Sequence, residues 1–126
     1  MKLLLLASAG GALGAGARYL VYDAFLRHWG GAFPWATLVV NIVGSLLIGV
    51  LVALLLERWA DLVELRIFLI TGILGGFTTF SAFSIDAVSL MERGATGQAF
   101  LYMIGSVILS IAACWAGLSA TRALLP

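Results

Sequence analysis

Trp35-Ala36-Thr37-Leu38-Val39-Val40-Asn41-Ile42-Val43-Gly44-Ser45-Leu46-Leu47-Ile48-Gly49-Val50-Leu51-Val52-Ala53-Leu54-Leu55-Leu56 contains no Lys, Arg, Asp or Glu. An uninterrupted apolar run of this length matches the ~20 residues a helix needs to cross the hydrocarbon core. Working outward, three further stretches qualify, Leu3–Leu26, Leu65–Leu90 and Gln98–Leu125. Short polar segments separate them: Arg27 to Pro34, Glu57 to Glu64 and Met91 to Gly97. Trp29, Trp35 and Trp59 stand at these borders, where amphipathic rings favour the headgroup layer. Pro34 suits the first turn of the second helix. The whole chain, 1–126, therefore reads as one all-α membrane domain of four transmembrane helices, running up-down-up-down.

Composition agrees. Hydrophobic residues make up 63% of the chain and charged residues 10%, with mean hydropathy +1.13. An ordinary soluble domain has about 45–50% and about 25%, so this chain lacks the polar groups to clothe a water-exposed surface. The net charge of +1 with no basic run gives nucleic acid nothing to bind. One cysteine, Cys114, and one histidine, His28, exclude an internal disulfide and a His- or Cys-rich metal cluster within one chain. No nucleophile-base pair stands out, so an enzyme is not expected. Lys2, the Leu run and Ala15-Gly16-Ala17 have the look of a cleavable signal peptide, but the run continues through Tyr19–Tyr22.

Counting positive charges by side, Lys2, Arg58, Arg66 and Arg122 face Arg18, Arg27 and Arg93. So small a bias hardly fixes orientation, and it allows a dual-topology chain pairing with its own inverted copy; a single orientation set by one dominant loop charge is the alternative. Gly10-x-x-x-Gly14 and Gly72-x-x-x-Gly76 allow close helix packing.

Polar residues within lipid are costly, so their placement carries information. Thr37, Asn41 and Ser45 share one face of the second span, and Tyr102, Ser106, Ser110 and Cys114 share one face of the fourth. Two readings stay open, helix-to-helix hydrogen bonding and the lining of a pathway. A path of hydroxyls and an amide, without acids or fixed cations, suits a small anion that must bind weakly enough to leave. In the third span Gly75-Gly76 and Thr78-Thr79 are poor helix material. A break there, at mid-membrane, would free backbone carbonyls that, brought together across a two-fold axis, could cage a monovalent cation. Phe80 and Phe83 share a face, and their electropositive edges could attend an anion; ordinary core packing is the alternative. Asp86 reads either as a cap for the break or as the lining of a pore mouth. His28 reads as a headgroup-facing loop residue. A proton-coupled small multidrug transporter would need a membrane carboxylate, and the first span before Arg18 has none.

The order Gly10-Gly11-Ala12-Leu13-Gly14 with Arg18-Tyr19, then Thr37-Leu38-Val39-Val40-Asn41 with Gly44, then Gly75-Gly76-Phe77-Thr78-Thr79-Phe80-Ser81-Ala82-Phe83-Ser84 resembles the Fluc/CrcB family of bacterial fluoride channels over nearly the entire chain. That resemblance implies an antiparallel dual-topology homodimer in the inner membrane, with two pores for passive fluoride efflux and a structural Na⁺ at its centre. It implies that Phe80 and Phe83 border each pore, that Asn41 donates to fluoride, and that Tyr102, Ser106 and Ser110 form a polar track with Thr37 beside it. The Gly75 and Thr78 carbonyls would hold the Na⁺, and Arg18 would attract anions at a vestibule. Cys114 falls where the track would continue, and its role stays open.

Overall fold

The computed structural model describes residues 1–126 and contains four helices long and apolar enough to cross a membrane. They are α1 (Lys2–His28), α2 (Trp35–Arg58), a third span Val63–Glu92, and a last helix Thr96–Leu124. Within the third span, helical residues 63–77 form α3 and Phe80–Glu92 form α4; Thr96–Leu124 is then α5. There are no strands. Each expected span is present, with ends shifted by no more than two residues. α1 has 27 residues and is thus about 40 Å long at 1.5 Å per residue. The connections 29–34, 59–62 and 93–95 are too short to run back along a helix, so successive spans alternate in direction.

Local chemistry sets the ends. Pro34 lies one residue outside α2 rather than in its first turn: at φ −81°, ψ 63° it is the N-cap, and its carbonyl accepts from Leu38 N at 3.2 Å. Past the last helical residue of α4, Glu92, the chain turns at Gly94, whose φ of +78° a side chain would resist. There Ala95 N reaches Leu90 O at 2.9 Å and Gly94 N reaches Met91 O at 3.0 Å, which satisfies carbonyls the helix end leaves open. Arg93 then ties this corner to the 29–34 loop, donating from Nη2 to Ala32 O at 2.7 Å. At the opposite end Lys2 pairs with Glu64 at 2.6 Å, and Arg122 donates to Glu57 through Nε and Nη2.

Two glycine seams bring the helices together. α1 packs on α3, where a Cβ at Gly10 would lie 2.8 Å from Gly72 Cα, and one at Gly76 would meet the Gly11 carbonyl and lie 3.0 Å from Ala15 N. The two small-residue motifs therefore face each other across one contact. α2 packs on α5, where Gly49 meets the Cys114 carbonyl and Gly117 meets the Leu46 carbonyl. In lipid, where apolar contact alone gives little preference for helix over tail, such backbone proximity is what dispersion attraction requires. Cys114 thus offers its backbone to a seam. A small apolar cluster, Ala87, Leu90, Ala99 and Tyr102, has Phe33 and Phe83 packed against it. Only 16 of 126 residues are buried, so the outside is apolar almost everywhere.

Between α3 and α4, Thr78 (φ −80°, ψ 156°) and Thr79 (φ −154°, ψ 117°) are extended. Thr79 caps α4, its Oγ1 accepting from Ala82 N at 3.1 Å. Asp86, whose reading included that cap, lies further along α4 and has other partners. Residues 53–58 and 67–74 are wound as π-helix, the second directly ahead of the Gly75-Gly76 pair.

Candidate functional site

The extended Thr78-Thr79 pair is held by α2. Asn41 Oδ1 accepts from Thr79 N at 2.8 Å and Asn41 Nδ2 donates to Thr79 O at 3.0 Å, so one amide grips both groups of one residue. A primary amide has two N–H bonds, and only one of Asn41's is used. One turn along α2, Gly44 admits the Thr78 methyl, which a Cβ would displace.

Beside this clamp lies an open groove of ≈ 210 Å³, lined by Asn41 and Ser45 of α2, Thr79, Phe80 and Phe83 of the junction and α4, and Ser106 and Ser110 of α5. No charged side chain lines it. The Phe80 and Phe83 ring centroids are 5.3 Å apart and tilted by 39°; Phe80 is 78% exposed, whereas Phe83 leans on Tyr102. Phe80 is therefore available to a surface outside this chain. Ser106 is 6% exposed and its hydroxyl has no hydrogen-bond partner. Elsewhere in the helices Ser8, Ser84 and Thr121 bond their own i−4 carbonyls at 2.7–2.9 Å, the usual refuge of a hydroxyl in lipid. Ser106 does not, and leaving a buried polar group unpaired costs ~1–3 kcal/mol.

The structure gives Thr37 and Tyr102 a different neighbourhood from the groove. Both are buried, at 2% and 1% exposure, and both donate to Asp86 Oδ2, at 2.6 Å and 3.2 Å. Since the single Thr37 hydrogen goes to Asp86, the 2.7 Å contact with Tyr22 is a donation from Tyr22. The chain Tyr22 to Thr37 to Asp86, with Tyr102 joining, thus compensates a carboxylate within the membrane by three hydroxyls and no cation. Thr37 and Asp86 also line a wider cavity of ≈ 480 Å³ with Tyr22, Asp23 and Phe33. Phe83, which lines the groove, touches Tyr102 at a centroid distance of 5.3 Å, and Tyr102 in turn donates to Asp86, which lines this cavity.

Arg18 is half-buried and donates from Nε to the Gly76 carbonyl at 3.1 Å. That carbonyl, at the end of α3, lacks the helical donor that Phe80 N would supply. A cation at a helix C-terminus is favourable on charge grounds too. Arg18 is therefore held inside the bundle, and the loop charges number Lys2, Arg58, Arg66 and Arg122 against Arg27 and Arg93.

The carbonyls of Gly75 and Thr78 stand out for what they lack. In a continued helix they would accept from Thr79 N and Ala82 N. Those two amides bond Asn41 Oδ1 and Thr79 Oγ1 instead. Gly75 is exposed on this chain, so its freed carbonyl is open to a partner.

Asn41, Ser106 and Ser110 line the groove together with the two phenylalanines. Tyr22 and the clamping use of Thr79 were missed. Tyr22 carried a signal, since Tyr22 and Tyr19 end an apolar helix beside Asp23. The Thr79 pairing had none, being a backbone contact across 38 positions of sequence.

Comparisons with known proteins agree along the chain. The family described as CrcB-like protein, Camphor Resistance (CrcB), matches residues 5–118. A protein of Agrobacterium fabrum is 56% identical over 117 residues, covering 93% of this chain and 94% of its own. One of Rhizobium meliloti is 50% identical over 125 residues, covering 99% and 100%. One of Rhodospirillum centenum is 51% identical over 123 residues, covering 97% of each. All three carry the name fluoride-specific ion channel FluC. With the family match running over residues 5–118 and relatives at 50–56% identity over nearly the full length, this chain belongs to the CrcB family.

Proposed function

We propose that this protein is a fluoride-selective channel of the bacterial inner membrane that lets fluoride leave the cell passively and so confers fluoride resistance. The observation that carries the reading is the Ser106 hydroxyl, buried without a partner beside the spare Asn41 N–H and the Phe80–Phe83 pair. A bare F⁻ must replace its hydration shell. These groups offer hydrogen bonds and aromatic edges, and no full positive charge that would hold the ion. Ser45 and Ser110 continue the groove. Arg18 raises the local potential for anions from its seat on the Gly76 carbonyl. Conduction makes and breaks no covalent bond, so the protein is a channel and not an enzyme, in keeping with its relatives' names.

One chain with so little interior cannot enclose an ion path, and Phe80 projects from it. The working unit in this reading is an antiparallel homodimer with two pores, each completed by phenylalanines of both copies. The remaining loop charges lean four against two, so the opposed arrangement rests on the exposed half-sites more than on the charge count. The mid-membrane interruption at Thr78-Thr79 is the centre of that assembly, and Thr37 and Tyr102 serve the pore from the Asp86 end. A structural Na⁺ would be held by the Gly75 and Thr78 carbonyls, two from each copy. Their diverted amide donors make that donor set fit an alkali cation. When bound, Na⁺ would neutralise those carbonyl dipoles at the interface.

In cells HF enters by diffusion and dissociates, and an inside-negative potential favours F⁻ exit by about 2.3 kcal/mol per charge per 100 mV. The test is ion efflux from liposomes carrying purified protein. Fluoride release with chloride retained is the expected result; equal chloride flux would overturn the reading.

A further inference from the structure

Asn41 is more than a donor facing the groove. Its side chain is the partner that keeps the α3–α4 junction from closing into helix. The peptide nitrogen of Thr79 must bond something in so dry a place. In helical register its acceptor is the Gly75 carbonyl; in the structure it is Asn41 Oδ1, at 2.8 Å. The same amide draws the Thr79 carbonyl to its Nδ2 at 3.0 Å, and this fixes which way the amide is turned. α2 touches the junction again one turn on, where Gly44 makes room for the Thr78 methyl. A second cavity, ≈ 190 Å³, opens here and includes Gly75, Thr78 and Ser45. Ser45 also lines the groove, so it borders both spaces.

We infer that Asn41 is a positioning residue for the central cation: by taking the Thr79 N–H it releases the Gly75 carbonyl to the metal, while its spare N–H faces the anion. The inference rests on the reading of Gly75 and Thr78 as Na⁺ ligands. Its consequence is that one side chain serves both ions, and its acceptor and donor halves have separable duties. Removing the acceptor weakens Na⁺; removing the spare donor weakens fluoride alone.

The experiment follows thermal unfolding of the purified full-length protein in detergent as NaCl replaces N-methylglucamine chloride at constant ionic strength. In the unsubstituted protein the melting temperature is expected to rise with Na⁺ and saturate. Asn41→Leu, of similar size without the acceptor, is expected to move the Na⁺ midpoint up at least tenfold. Asn41→Asp keeps an oxygen for the Thr79 N–H but loses the donor to the Thr79 carbonyl, so its Na⁺ midpoint is expected to lie between those of the original protein and Asn41→Leu while fluoride efflux falls. Ser106→Ala, which does not touch the junction, is expected to leave the midpoint unchanged. An original midpoint in Asn41→Leu would overturn the inference and leave the cation reading intact. A melting temperature indifferent to Na⁺ in the unsubstituted protein would instead remove the cation reading itself. Should Asn41→Leu fail to assemble at low Na⁺, recovery on raising Na⁺ supports the role, and no recovery at any concentration overturns it.

Discussion

Ser106→Ala separates function from stability because its two expected effects have opposite signs. The Ser106 hydroxyl is buried, with 6% of the residue exposed, and has no protein hydrogen-bond partner. Keeping such a group desolvated costs ~1–3 kcal/mol, so its removal leaves stability unchanged or raises it by that order. Alanine leaves no larger void than one hydroxyl and suits a helix better than serine. In the proposed fluoride path the same group would supply a hydrogen bond to the anion, worth roughly 1.5–3 kcal/mol. Losing it should weaken fluoride association about 10- to 100-fold, at one decade per ~1.4 kcal/mol. Efflux from liposomes, read with a fluoride electrode at fluoride well below saturation, should fall by a similar factor. Unfolding of the same preparation should show no loss of stability. Efflux at the original rate would refute the placement of Ser106 on the path. A stability loss above ~1 kcal/mol would refute the claim that the hydroxyl stands unpaired.

Phe80→Ile is expected to cut fluoride efflux at least tenfold while the chain still folds, since the ring is 78% exposed and gives its own protomer little packing; efflux together with size-exclusion behaviour checks both halves. Gly76→Val should prevent folding into the membrane-embedded bundle, because its Cβ would overlap the Gly11 carbonyl and lie 3.0 Å from Ala15 N; yield and thermal unfolding report this, and Gly16→Val, with nothing near its Cβ, is the tolerated control. Thr79→Val keeps the shape but loses the α4 cap accepted from Ala82 N, a cost of ~1 kcal/mol in unfolding free energy. Glu57→Gln should change stability by less than ~1 kcal/mol, because its pairing with Arg122 is at the exposed end of the bundle.

The membrane class, the four spans and the glycine motifs were legible because lipid imposes length and polarity rules on every residue of a span separately. The groove was partly legible, since the i, i+4 spacing of Asn41 and Ser45, and of Ser106 and Ser110, puts each pair on one face of its own helix. Which face meets which neighbour lies outside such spacing. Thr37 and Tyr102 belong to the same two stripes, yet turn their hydroxyls to Asp86 and not to the groove. Arg18, expected to attract anions at a vestibule, also donates to the carbonyl orphaned at the end of α3, a contact that no spacing within α1 reveals.

By itself the amino-acid order determined that lipid surrounds this chain, where it crosses, and that Gly75-Gly76 and Thr78-Thr79 form the weakest helical stretch, because solvent transfer and backbone propensity act residue by residue. Only the tertiary structure decided what each freed hydrogen-bonding group does: Asn41 takes the Thr79 peptide, Asp86 takes two hydroxyls, and Ser106 is left with none. A hydrogen bond demands a partner within about 3 Å at the right angle, and distances across helices exist only once the helices have packed.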